Sequence, residues 1–385
     1  MAYKNESMNR GRVIATPGAA LLSMALAAFA CSSTSPDTLT PKPQQPPDAA
    51  VEPADDARSE PDAPLPDAAP ADAGYHGARN IGERSRTSIE EHWVHGKLDG
   101  TRRIYRANVL TLDELYKDGK LNGEWKAYRG NGVLRVRGRY KNGQRHGTWI
   151  IYYSNKNKSR TIMYRRGKRH GPFTRHSRRG QLIVQGSYRN GSKHGKWTEW
   201  NDRGRELGSY TLSDGTGTEK SWHQVDKIER ETQLEGGKRN GRHRVWTLRG
   251  VLVVDGNYNN GKRDGRWRQW YGNGRKKIHA NYKNGLLDDQ WRRWHRNGNP
   301  AIEAHYTDGL LDGMFAEYYD DGSKESGGSY RGDKRYGVFR QWYPDGTLAE
   351  ESHWRAGLLD GELVSYDQRG KVERRQKYRD GNPTD

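Results

Sequence analysis

The period of this chain constrains its fold more than any other feature. From about residue 93 the sequence follows a pattern Tyr-x-Asn/Asp-Gly-x-x-x-Gly-x-Trp/Phe-x-x-Tyr/Trp. The leading aromatic falls at Tyr116, Tyr140, Tyr164 and Tyr188, then at Tyr258, Tyr282, Tyr306, Tyr330, Trp354 and Tyr378, with steps of 24 inside each series. Leu234 stands one period before Tyr258, and Tyr210 arrives two residues early, so one shortened, degenerate copy is expected near 210–233. Trp93 opens an imperfect first copy. Units of this length cannot bury an apolar face alone; they do so by stacking on their neighbours.

Each unit reads as two short strands. Asn-Gly and Asp-Gly pairs supply the positive φ angles of tight hairpin turns. A second turn signal closes each unit, as at 272–274 and 344–346. In Leu134-Arg135-Val136-Arg137-Gly138-Arg139-Tyr140 the arginines fall on one face and Leu, Val, Gly and Tyr on the other. The small residue two before the aromatic (Gly138, Gly186, Gly256, Ala280, Ala304, Gly328) leaves room for a ring from the next strand. The expected fold is all-β: tandem hairpin repeats of about 24 residues, some twelve copies over 75–385, stacked into an elongated, twisted, single-layer sheet. Two strands per repeat give a rise of roughly 10 Å. Only 32% of residues are hydrophobic and mean hydropathy is −1.16, values that alone would suggest disorder. The 13 Trp and 22 Tyr, set at fixed spacing, oppose that.

The repeat pattern, in copies such as Tyr140-Lys-Asn-Gly-Gln-Arg-His-Gly-Thr-Trp149-Ile-Ile-Tyr152, resembles the MORN repeat in its bacterial, antitoxin-type variant. The resemblance covers about 93–385. It implies a scaffold, dimerisation module or lipid-binding surface, that is, an interaction protein.

Residues 1–30 read as a signal peptide, with Lys4, Arg10 and Arg12 before the apolar run 18–30, which is too short to span a bilayer as a helix. Ala28-Phe29-Ala30-Cys31 reads as a lipobox with Cys31 lipidated, or as an ordinary Ala-x-Ala cleavage site. Cys31 is the only cysteine, which excludes an intrachain disulfide and a cysteine zinc site. Residues 31–74 form a Pro/Ala/Asp-rich tether. The expected location is the outer membrane or cell surface as a lipoprotein, or the periplasm or exterior as a soluble protein.

Charge is distributed unevenly. Between Glu124 and Glu199 lie 20 Lys/Arg and no Asp or Glu, whereas 236–385 holds 28 basic and 21 acidic residues. One explanation is anion binding by Arg135, Arg137, Arg139, Lys141, Arg145, Arg165, Arg166, Lys168, Arg169, Arg189 and Lys193. The other is a solvated face that keeps a sheet from aggregating. His146, His170 and His194 recur at one repeat position, too far apart to share a metal; later copies carry Asp264, Asp288, Asp312 and Asp360 there, which suggests a polar turn position. Gly256-Asn-Tyr-Asn-Asn-Gly261-Lys262-Arg263 nearly matches a phosphate-binding loop, but the strand before it leads into a hairpin rather than a helix, and Arg263 replaces the hydroxyl. No catalytic constellation stands out, so no enzyme, cofactor or metal is expected. Three functions compete: an envelope-tethered scaffold for an anionic partner (acidic glycan, lipid head group or acidic protein), an antitoxin or immunity protein that neutralises a toxin, and, least favoured, a nucleic-acid binder.

Overall fold

A computed structural model of the chain describes residues 77–80 and 87–384. The segments read from the sequence as signal peptide and tether, with Cys31, lie outside the described residues. Every described element is a strand, each paired antiparallel with its neighbours in sequence.

One unit shows why. Strand Leu134–Lys141 turns into Gln144–Tyr152 through Asn142 and Gly143, at φ 50° and 76°. That is the mirror-image hairpin turn, whose twist matches its strands. The second turn of each unit works differently from the first. At 271–275 the Tyr271 N–H donates to the Arg275 carbonyl at 2.8 Å, and only Gly274 has a positive φ. Asn273 keeps an ordinary backbone and accepts the Arg275 N–H on its side-chain oxygen at 3.1 Å.

The strands form two sheets, where the sequence suggested one. Twelve strands run from Gly77–Asn80 to Glu206–Leu212 and sixteen from Gly217–Gln224 to Asn382–Thr384. Between Leu212 and Gly217 only a Ser213–Thr216 bridge remains. The shortened copy causes the break, at a place the period misreads. Leu212 lies opposite Gly195 as Tyr164 lies opposite Gly147, so Leu212, 1% exposed, holds the aromatic position. Tyr210 holds the small position, opposite Trp197. The missing residues belong to the next tight turn: Gly217 follows Leu212 by five positions, where Gly171 follows Tyr164 by seven.

One face of each sheet carries a row of rings that bury one another without a second layer. Trp149 is 3% and Trp267 1% exposed. Tyr140 meets Trp149 edge-on at 5.2 Å and Trp125 lies 5.4 Å from it. Such pairs contribute about 0.5–1.5 kcal/mol beyond area burial. The expected gap is present: a Cβ built at Gly138, Gly186, Gly256 or Gly328 would fall inside the ring of Trp149, Trp197, Trp267 or Phe339. Arginines cap the rings, with Arg263 4.4 Å above Trp267 and its equivalent three repeats on, Arg335, 4.7 Å above Phe339.

Both edges are fastened between repeats. At the tight turns a backbone N–H donates to the previous repeat, as from Gly143 to Leu121 O at 2.8 Å and from Gly191 to Arg169 O at 2.8 Å. At the other edge a side chain donates to the next repeat, as from the Tyr319 hydroxyl to Trp342 O at 2.8 Å. Each repeat therefore holds a fixed offset from the next.

Candidate anion-binding edge

Strand alternation puts the residues between the rings on the opposite face. There one row of directly paired residues crosses the first sheet: Glu90, Arg103, Asp113, Lys126, Arg137, Ile150, Thr161, Thr174, Gln185, Thr198 and Ser209. It starts as alternating charges and becomes neutral after Arg137. Glu124, the last acid before the basic stretch, pairs with Lys126 at 2.8 Å, and that bond first, then Arg139 and Arg137, holds its carboxyl below the usual range.

Along the tight-turn edge the directly opposed residues are Lys117 with Lys120, Lys141 with Gln144, Arg165 with Lys168, and Arg189 with Ser192. The cations in these pairs are exposed, as is Arg166 in its turn. Two of the pairs set like charges face to face, which costs stability. The sequence set omitted Lys117 and Lys120, although both sit exactly one period before Lys141 and Gln144; Asp118 lies between them.

The predicted set divides. Arg137, Arg139, Lys141, Arg165, Arg166 and Lys168 are exposed and join no ion pair among the described residues. Arg135 is half-buried on the same face. The other four are already engaged. Arg145 lies over Trp149 at 4.7 Å and donates to the Tyr164 hydroxyl at 3.2 Å. Arg169 lies over Tyr188 at 5.4 Å. Both point to the ring face because their position alternates with the tip cations. Arg189 pairs with Asp214, donating from Nε at 2.6 Å.

Lys193 belongs to a polar cluster where the sheets meet. Glu219 stands opposite Thr232, the place that Trp267 takes opposite Ala280, so a carboxylate replaces a ring. Lys193 pairs with Glu219, which also accepts from the Tyr210 hydroxyl at 3.2 Å. Burial would raise Glu219, but Lys193, Arg230 and the Tyr210 hydroxyl together more than offset it and the carboxyl stays below its usual range. Glu199 lies nearby; burial, helped by Glu219 and opposed by Arg175, Lys193 and Arg230, pushes it up to about 7. Of this cluster the sequence marked only Lys193, as an anion-binding residue; Glu219 escaped notice because it fills a position that the pattern assigns to a ring.

Two of the three repeated histidines serve the turns. His170 and His194 accept through Nδ1 the N–H of Asn190 and Asp214, at 3.4 and 3.2 Å. Asp264 and Asp288 accept in the same way from Asn284 and Asp308. Among the described residues no group of three His, Cys, Asp or Glu could hold a metal. The glycine-rich segment 256–263 is a hairpin between strands Leu252–Asn259 and Lys262–Arg263, without the helix a phosphate loop requires.

The family described as MORN repeat variant matches the chain at residues 121–142, 263–284 and 335–356. Each match spans two successive strands and the wider turn between them, at the edge opposite the tight turns. No curated protein matches. Solved structures titled "Crystal Structure of TcdB2-TccC3-Cdc42" and "Crystal Structure of TcdB2-TccC3" align over 77% of this chain, at 12% and 11% identity and TM-scores of 0.17 and 0.11. The chain spans only 18% and 19% of their length.

Proposed function

We propose that this chain, a repeat protein built from MORN-variant units, is a non-enzymatic scaffold tethered to the cell envelope that binds an anionic partner through the basic tips of its first sheet. The observation that carries this is the set of unpaired cations at the tips, with Arg165 facing Lys168 and no carboxylate in the sequence from 125 to 198. A face that served only solubility would do as well with mixed charges and would avoid the like-charge cost. The apolar segment and Cys31 support export and a lipid anchor. An antitoxin-type role rests on the repeat variant alone, and stoichiometric co-purification of one protein partner would favour it.

The test is titration with acidic glycan, anionic vesicles and an acidic peptide at low salt, using the wild type and a Lys141→Glu/Arg165→Glu/Lys168→Glu variant. Binding of one class, lost in the variant, supports the function; indifference to all three excludes it. Mass spectrometry of the mature N-terminus decides whether Cys31 carries lipid.

A further inference from the structure

The candidates outside the ring rows are few. A cleft of about 330 Å³ lined by Arg242, Asp255, Asn257, Arg266 and Arg268 is centred on a carboxylate already held by two of the arginines. The polar cluster at Lys193 is closed by its own pairs. Leu286, Leu310 and Leu358 are exposed tip residues of the second sheet, and nothing in the structure indicates what covers them. The cationic tips of the first sheet carry more.

Resting on the function proposed above, we propose that the ligand of this edge is a linear acidic polysaccharide, laid along the tips and across the strands so that it contacts several repeats at once. The backbone bonds between tips, Gly143 to Leu121, Gly167 to Arg145 and Gly191 to Arg169, fix the cations in a line with a step of about 10 Å per repeat. Three tips whose cations join no ion pair, from Lys117/Lys120 to Arg165/Lys168, therefore span on the order of 20 Å. Each tip offers only one to three charges, a weak site by itself. Binding at several tips is additive along one chain, and a polymer with charges at short intervals meets every tip without bending.

The chemistry of the line argues against other anions. A compact phosphate or head group needs a concave site with converging donors. The tips protrude, and their cations are exposed and spread along an edge. Single-stranded nucleic acid is held by base stacking on aromatic platforms. No aromatic residue occupies the paired tip positions, and the Trp149 and Trp197 rings lie buried on the other face. Asp118 apart, what stands between the cations is uncharged or imidazole and can hydrogen-bond: Gln144, Ser192, and the side chains of His146 and His170. Such groups suit sugar hydroxyls. Asp214, paired with Arg189, closes the line at the sheet break.

The experiment is calorimetric titration of the purified protein with galacturonic acid, with oligogalacturonates of two to sixteen residues, with an oligothymidylate of matched charge, and with phosphatidylglycerol vesicles. The expected result is affinity that rises at least 30-fold from the dimer to oligomers long enough to span three tips and then levels off. Oligothymidylate should bind at least 10-fold more weakly than the matched oligogalacturonate. Lys141→Gln and Lys168→Gln should each shorten the rise, and far-ultraviolet circular dichroism should show both folded. Length-independent binding, or tighter binding of oligothymidylate or vesicles, overturns the polysaccharide while leaving an anion site. Failure of every anion to bind removes the anion site itself.

Discussion

The two sheets place opposite solutions on the same face of the same repeat. In the second sheet the outward row is tied together by its own charges. Glu231 pairs with Lys220 and Arg244 at 3.2 and 2.8 Å, Asp255 with Arg268 at 2.6 Å, and Arg340 with Glu351 at 2.7 Å. The corresponding row of the first sheet, beyond Arg137, is Ile150, Thr161, Thr174, Gln185, Thr198 and Ser209. The tips differ in degree. Those of the first sheet oppose Lys117 to Lys120 and Arg165 to Lys168, while those of the second oppose Glu235 to Lys238, Lys283 to Leu286 and Thr307 to Leu310, with one like-charge pair, Arg331 and Lys334. One backbone design thus carries a self-neutralised region and a region with unpaired positive charge. The ring rows provide stability in both, which leaves the outward face of the first sheet available for another role.

The comparison can be broken most severely in the second sheet. Asp255 is buried between Arg242 and Arg268, which hold its carboxyl below the usual range despite burial. Asp255→Ala leaves two guanidinium groups without their partner and is expected to cost about 3 kcal/mol in chemical denaturation. Thr174→Ala, at the corresponding row of the first sheet, should cost under about 1 kcal/mol.

Next is the effect of charge on binding. The reversal Lys141→Glu/Arg165→Glu/Lys168→Glu should weaken binding of an acidic glycan about 30-fold, roughly 2 kcal/mol. Lys262→Glu/Lys283→Glu/Lys334→Glu at the tips of the second sheet should change it less than about 3-fold. Equal losses would remove the distinction between the sheets.

An effect of similar size concerns the junction between them. The folded-state pKa of Glu199, about 7, lies above its unfolded value, so the native state binds the extra proton. Stability from this group is full below the unfolded value, near 4.3, and is lost as pH rises through 7. Melting from pH 5 to 8 should show a loss of about 2 kcal/mol that Glu199→Gln abolishes. Glu219 has the opposite sign. Its lowered pKa stabilises the fold above the unfolded value, and that contribution disappears as pH falls through the folded value.

The smallest effect separates binding from folding. Lys168→Glu, opposite Arg165, replaces repulsion with attraction and should stabilise the protein by about 0.5 kcal/mol while weakening the ligand.

Much of the fold was legible because the period states it. The Asn142-Gly143 turn, the alternation of Leu134–Tyr140 and the gap at Gly138 all follow from local rules that agree with one another. The shortened copy was not legible in detail. Tyr210 looks like an early aromatic, and only the cross-strand register shows that Leu212 takes that position and Glu219 the ring position. At the candidate edge, residue type and spacing located the basic stretch. They did not reveal that Arg145 and Arg169 sit on the ring face, because whether an arginine caps a ring depends on which face its bulged strand presents.

The most direct measurement is amide hydrogen exchange of the protein with and without a saturating long oligogalacturonate. Protection is expected at the tips around Lys141–Gln144 and Arg165–Lys168, with none at Lys283–Leu286 or Thr307–Leu310. Protection spread evenly over both sheets, or confined to the second, would contradict the assignment of the anion site to the unpaired tips of the first sheet.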